Sequence, residues 1–379
     1  MKNKLSYILE SCNVRLGNQT TYRTSASPLG VAVADFNNDG RNDIVVANSG
    51  SNNIGILFNL GSGVFDNQTT YGVGSGPRGL TTVDINNDGK NDIVVCDYSS
   101  NSMHIFMNLG NGLFTILANY STAVNPLYVV AGDLDNDNYQ DIVVANFGSA
   151  NIYLFFNMGN GTLASPVPYT TGSGPHFIKL ADVNNDNKLD ILVTNIQSGT
   201  FTVLLNTNNG TFNSVMNYSI GSSSSPRGIG TIDINNDGML DIIVVCSGLN
   251  AVFLYLNSGN GTFYNYSSYA ANGQPLYLGI ADFNGDQKFD FVVPNLSTNS
   301  ISIFYNLGDG TFSNQSVYAV GVQPYDITTG DINNDGYADI IVGNSVSNTI
   351  SIFKSYCAWL NNEIHKFNKT IDSNNLYLW

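Results

Sequence analysis

The sequence predicts an all-β protein, a seven-bladed β-propeller of four-stranded antiparallel blades closed by the N-terminal strand completing the last blade. Three observations carry this reading. A nine-residue acidic segment recurs seven times, at intervals of 49, 49, 49, 51, 49 and 49 residues. Each repeat holds four strand signals and no sustained helical period. The chain also begins with the one strand signal that its last repeat lacks.

Within a repeat the elements follow in a fixed order. An alternating segment such as Gly79-Leu80-Thr81-Thr82-Val83 leads into the acidic loop, and an apolar run such as Ile93-Val94-Val95-Cys96 leaves it. The first pattern suits a strand with one wet face, the second a strand buried on both faces. A Ser/Asn/Gly turn leads to a third strand, as in Ile301 to Tyr305. A hairpin at Gly308-Asp309-Gly310 then turns into a fourth strand ending at Tyr318. Four antiparallel strands per unit favour a closed ring over a solenoid, because closure leaves few exposed strand edges.

Counting strands tests the closure. A Tyr followed by a Pro marks the fourth strand and the crossing to the next blade, at Tyr22/Pro28, Tyr71/Pro77, Tyr120/Pro126, Tyr169/Pro175, Tyr218/Pro226, Tyr269/Pro275 and Tyr318/Pro324. The fifth pair is two residues longer, through the run Ser222 to Ser225, which accounts for the 51-residue interval. The first pair precedes the first acidic loop, and the last repeat stops after its third strand near Lys354. The strand at Tyr22 therefore supplies the missing fourth strand of the last blade.

Composition narrows the function. The chain has 379 residues, 11% of them charged, with a net charge of -15. The recurring loops hold 22 of the 29 acidic residues, and without them 14 basic against 7 acidic residues would give +7. The acidity is therefore local to the loops. This balance argues against a nucleic-acid partner, since phosphate binding requires a surplus of Lys and Arg. No apolar run approaches the 18 residues of a membrane span, and no secretory signal is visible at the N-terminus.

The loops have the chemistry of a hard-cation site. Oxygen ligands at positions 1, 3, 5 and 9, with the carbonyl of position 7, converge on one centre when the backbone wraps tightly, and Ca²⁺ prefers such oxygen cages. The predicted ligands are Asp35, Asn37, Asp39 and Asp43 with the Arg41 carbonyl, then Asp84, Asn86, Asp88 and Asp92 with that of Lys90. Next come Asp133, Asp135, Asp137 and Asp141 with Tyr139, and Asp182, Asn184, Asp186 and Asp190 with Lys188. The last three sets are Asp233, Asn235, Asp237 and Asp241 with Met239, Asp282, Asn284, Asp286 and Asp290 with Lys288, and Asp331, Asn333, Asp335 and Asp339 with Tyr337. Up to seven Ca²⁺ ions, one per blade, would bring the charge from -15 to -1. Position 12 of the first loop is Val46, which excludes an EF-hand. Asn138, Asn187 and Gln287 replace the usual Gly at position 6, so the Asp282 loop departs most from the pattern.

Seven D-x-[DN]-x-D-[GN]-x-x-D-type loops in register resemble FG-GAP, or VCBS-type, repeats, best known from the N-terminal propeller of integrin α subunits. The Asp282 loop, with Gln at position 6, fits that pattern less closely. The resemblance covers residues 10–357 and leaves 358–379 as a tail or the stub of a further module. It implies calcium loops joining the first two strands of each blade, in an extracellular or cell-surface adhesion module with a protein or glycan ligand. The family also includes lectins with repeated sugar sites and non-catalytic propeller scaffolds of polysaccharide-degrading enzymes.

No enzyme motif stands out. His104, His176 and His365 form no metal or triad spacing, and no nucleophile elbow or Walker loop is present. The eleven N-x-S/T sequons are about the number chance would give in a chain with 55 Asn. A binding protein, monomeric as a propeller, is the expected class. Its ligand face is predicted opposite the acidic loops, where the residue after each marker Pro varies: Leu29, Arg78, Leu127, His176, Arg227, Leu276 and Tyr325. Arg78, His176, Arg227 and Tyr325, joined by Tyr98 and Phe147 from neighbouring turns, would form a polar ring at the axial funnel. Cys12 and Cys357 map to the same repeat position, the hairpin that the closing blade lacks, so a Cys12–Cys357 disulfide is expected there. Cys96 and Cys246 lie in apolar second strands as buried thiols.

Overall fold

A computed structural model describes residues 13–207 and 209–358. Seven four-stranded antiparallel sheets form the blades of a β-propeller. The first comprises Pro28–Ala34, Asp43–Asn48, Asn53–Leu57 and Thr69–Gly72, from the inner strand outward. The closing blade comprises Pro324–Gly330, Asp339–Asn344 and Thr349–Phe353, with Thr20–Arg23 as its outer strand. In that seam Thr20 lies opposite Ile352 and Arg23 opposite Thr349. An N-proximal strand thus completes the sheet of the last repeat, as the strand count predicts.

The hydrophobic pattern explains the stacking. All six residues of Asp43–Asn48 are buried, and its alternate side chains serve two neighbours. Ile44 and Val46 pack with Ile341 and Ile350 of the closing blade, whereas Val45 and Ala47 pack with Ile93 and Val95 of the second blade. Outer strands such as Thr69–Gly72 are mostly exposed and polar. The marker tyrosines tie one blade to the next. The Tyr22 hydroxyl accepts the backbone N–H of Phe65 at 3.4 Å, and Tyr120, Tyr218 and Tyr269 accept those of Leu163, Phe263 and Phe312 at 2.9, 3.1 and 2.9 Å.

In the closing blade the usual hairpin is replaced by two segments remote in sequence. Asn13–Leu16 pairs with Ser355–Ala358, placing Val14 opposite Cys357. Cys12, like His365 and nearly all of the 358–379 tail, lies outside the described residues. Cys96 and Cys246 are fully buried free thiols. Burial pushes the Cys96 thiol well above its usual value and that of Cys246 up to about 12.

Candidate functional site

All seven acidic loops share one internal wiring. The position-1 carboxylate accepts the backbone N–H groups of positions 5 and 6, as Asp35 does from Asp39 at 3.2 Å and from Gly40 at 2.7 Å. The position-5 carboxylate accepts the N–H of position 7, as Asp39 does from Arg41 at 3.0 Å. Two residues per loop take left-handed backbone conformations. Position 4 is Asn in six loops, with φ of 57° at Asn38, and Gly285 in the Asp282 loop. Position 6 is Gly, Asn or Gln287, whose φ is 66°. The Asp282 loop therefore keeps the common shape, with its Gly moved to position 4. Its Asp282 carboxylate still accepts the N–H groups of Asp286 and Gln287, at 3.3 and 2.7 Å.

Position 9 has a second duty that spacing alone does not reveal. Asp43 is fully buried, and its two oxygens accept the N–H groups of Phe36 at 3.0 Å and Asn59 at 2.7 Å. The same pair of bonds holds Asp92, Asp141, Asp190, Asp241, Asp290 and Asp339. Burial pushes these carboxyls up, Asp43 to about 6 and Asp339 to about 7; the backbone bonds oppose the shift, and the other loop carboxylates add to it. The Asn59 side chain then donates across to the carbonyl of Ile332 in the closing blade, at 2.6 Å. Asn108, Asn157, Asn206 and Asn257 repeat this bond to the preceding loop. These loops are stitched to neighbouring blades. The signal for the Asn was present in sequence as a fixed offset of 16 residues after position 9.

The third loop differs from the rest. Asp133, Asp135 and Asp141 bring carboxylate oxygens within 4.8 Å of one another. Asp135 Oδ1 is buried without a hydrogen-bond partner, and burial together with Asp137 and Asp133 raises its pKa. Four other loops carry their own counter-cation at position 7. Arg41 pairs with Asp39, and Lys90, Lys188 and Lys288 lie 2.9, 3.1 and 3.4 Å from Asp88, Asp186 and Asp286.

The predicted ring on the opposite face is brought together, with one change. Arg78 carries its guanidinium carbon 4.2 Å from the centroid of the Tyr98 ring and donates to the Tyr325 hydroxyl at 3.4 Å. Tyr98 and Phe147 lie 6.5 Å apart. Arg227 donates to Ser247 at 3.0 Å and to His176 Nε2 at 3.2 Å. The change is at His176, which is 2% exposed and stacked on Tyr277 at 5.5 Å rather than open to the funnel. Burial, then Arg227 and Arg78, hold its pKa well below the ordinary histidine value. Leu127 and Leu276 are also buried. His104 sits in a third strand and pairs with the buried Asp97.

Comparison with known proteins matches the repeats directly. The family model described as "FG-GAP-like repeat" fits six times, over residues 35–95, 84–144, 133–193, 182–244, 233–293 and 282–342. The chain belongs to the FG-GAP-like repeat family. A search of the curated proteins finds no match. Among solved structures, BBS1N in complex with ARL6DN is 16% identical with a TM-score of 0.63, covering 90% of this chain and 96% of that one. Virginiamycin B lyase from Staphylococcus aureus is 15% identical with a TM-score of 0.62, covering 89% and 99%. An Agrocybe aegerita lectin that recognises non-reducing terminal N-acetylglucosamine is 17% identical with a TM-score of 0.54, covering 87% and 86%. At these identities the likeness is one of fold.

One part of this FG-GAP propeller escaped sequence reasoning, the floor of the funnel. Two residues after the marker Pro, three blades carry Gly30, Gly79 and Gly228 and three the bulky Tyr128, Phe177 and Tyr277, with Asp326 in the closing blade. A Cβ at Gly79 would lie 2.6 Å from the Tyr128 Cα, so glycine permits the inner strands to approach. Tyr128 packs on Phe177 at 4.0 Å and on Tyr277 at 6.0 Å. Beneath them a cavity of about 270 Å³ contains Lys179, whose amine burial holds below its usual pKa.

Proposed function

We propose that this chain is a calcium-stabilised extracellular binding module whose ligand docks on the face opposite the loops. The observation that carries the reading is a division of labour between the two faces. One face repeats the same loop wiring seven times and fits a structural role. The other presents different side chains from blade to blade and fits recognition of a single partner. The oxygen-only donor set and the unpartnered Asp135 Oδ1 support Ca²⁺ as the ion. The position 1, 3, 5 and 9 side chains and position-7 carbonyls would hold it, one ion per blade. Bound Ca²⁺ supplies the positive charge that lets carboxylates of one loop lie close together.

The role is binding rather than catalysis, and the ligand is a protein or a glycan. Fold neighbours solved with a protein partner or described as a lectin fit that class, although another neighbour of equal likeness is a lyase. A lectin with repeated sugar sites between blades would need equivalent upper-face groups in each blade, whereas Leu29, Arg78 and His176 stand at one repeat position. A Cys12–Cys357 disulfide would covalently close the ring where the last blade lacks its hairpin. The test is a screen of proteins and glycans in calcium and in chelator, followed by Arg78→Ala with Arg227→Ala. The double variant should abolish binding of any ligand found; retained affinity would place the site elsewhere.

A further inference from the structure

The geometry points to a carboxylate-bearing saccharide as the ligand of the upper face, an inference that rests on the binding reading above. The face is built of donors without acids to balance them. Arg78 and Arg227 make their described contacts with Tyr98, Tyr325, Ser247 and His176, and among the described residues neither pairs with a carboxylate. Because His176 Nε2 accepts from Arg227, the proton of the neutral ring belongs on Nδ1, and that atom is buried with no partner. The face thus holds two guanidiniums without a carboxylate partner among the described residues, in a chain whose net charge is -15, and Arg78 is the one that lines the adjoining cleft. The nearby buried carboxyl, Asp326, accepts backbone N–H groups from Val31 and Ile327, at 3.0 and 2.9 Å.

The space beside Arg78 suits a sugar acid. A cleft of about 380 Å³ spans the first, second, sixth and closing blades, and among the described residues Arg78 is the one charged side chain lining it. Its walls carry the hydroxyls of Ser27, Ser49, Ser345 and Tyr325 and the amide of Gln323, set among the apolar Leu29, Leu296 and Val346. Neutral donors and acceptors beside apolar patches fit the hydroxyls and C–H faces of a sugar ring. A guanidinium offers paired N–H groups to a planar carboxylate, and the Tyr98 ring beneath Arg78 holds that guanidinium in place. A peptide carboxylate shares the charge but would leave the ring of hydroxyls with fewer partners.

The decisive comparison uses methyl glucuronide and methyl glucoside, which share a ring and differ in the carboxylate. Binding to the full chain is measured by calorimetry in excess calcium. The glucuronide should bind at least tenfold more tightly, and the preference should weaken with added salt. It should vanish in Arg78→Gln with Arg227→Gln, while Arg78→Lys, which keeps the charge, should retain part of it. An unchanged circular dichroism spectrum establishes that the variants fold. Equal affinity for the two glycosides would overturn the anion inference and leave the binding-face reading intact. N-acetylaspartate binding as tightly as the glucuronide would overturn the saccharide class. A preference that persists without both arginines would move the carboxylate to the calcium loops, and no binding of either glycoside would overturn the inference outright.

Discussion

The buried carboxylate of Asp43 accepts the backbone N–H of Asn59 at 2.7 Å. That bond joins an acidic-loop position to the start of the hairpin in the same blade, and the Asn59 side chain carries the connection to the closing blade. Loop and frame are therefore one structure. Asp43→Asn should destabilise the protein in chelator as well as in calcium, by about 1–3 kcal/mol, because an amide nitrogen would face a backbone donor. Asp39→Asn, at a half-exposed position, should weaken the calcium response and leave chelator stability nearly unchanged. Urea unfolding of both variants under the two conditions separates these roles.

The loops should not bind calcium equally. The Asp133 loop has a fourth carboxylate and no position-7 cation, whereas the Asp84 loop has Lys90 lying 2.9 Å from Asp88. Asp135→Asn should lower the affinity of the tightest site, and Lys90→Met should raise that of a weak one. Calorimetric titration should resolve both changes, within the roughly 10⁻⁴ to 10⁻³ M range of extracellular modules.

Asp326 gives a pH dependence independent of the loops. Burial raises its carboxyl to about 7, against the backbone bonds from Val31 and Ile327. In the unfolded chain it titrates near ~3.9. The folded protein thus holds a proton that the unfolded chain releases between those values, so its contribution is complete below ~pH 4 and is lost as pH rises through about 7. Wild type should lose stability relative to Asp326→Asn across that window and level off above it. Parallel stability curves for the two proteins from pH 4 to 8 would contradict this assignment.

A Cys12–Cys357 bond would close a loop of nearly the whole protein, and chain entropy puts its stabilisation at up to ~5 kcal/mol. Intact protein digested without reductant should yield a peptide pair joined through these cysteines. Cys357→Ser should lower the melting temperature without altering the calcium affinity of the loops.

The frame was legible because its determinants are local and repeated. Tyr22 and Pro28 announced the borrowed strand, and the Asp35 loop announced the turn that joins the first two strands. The funnel floor was not legible. His176 shares its repeat position with Arg78 and Arg227, yet it is buried because Tyr277, a hundred residues later, stacks upon it. Seven inner strands meet at the axis, so a side chain there is placed by blades remote in sequence. The position-6 departure at Gln287 was visible, but its compensation at Gly285 required the backbone.

Calcium as the source of blade stability is tested most directly by the melting temperature of the intact chain in excess Ca²⁺ and in excess chelator. Clustered carboxylates repel until a cation enters, so binding free energy adds to folding free energy. The melting temperature should rise with calcium concentration and fall on chelation. The same melting curve in both conditions would contradict the account.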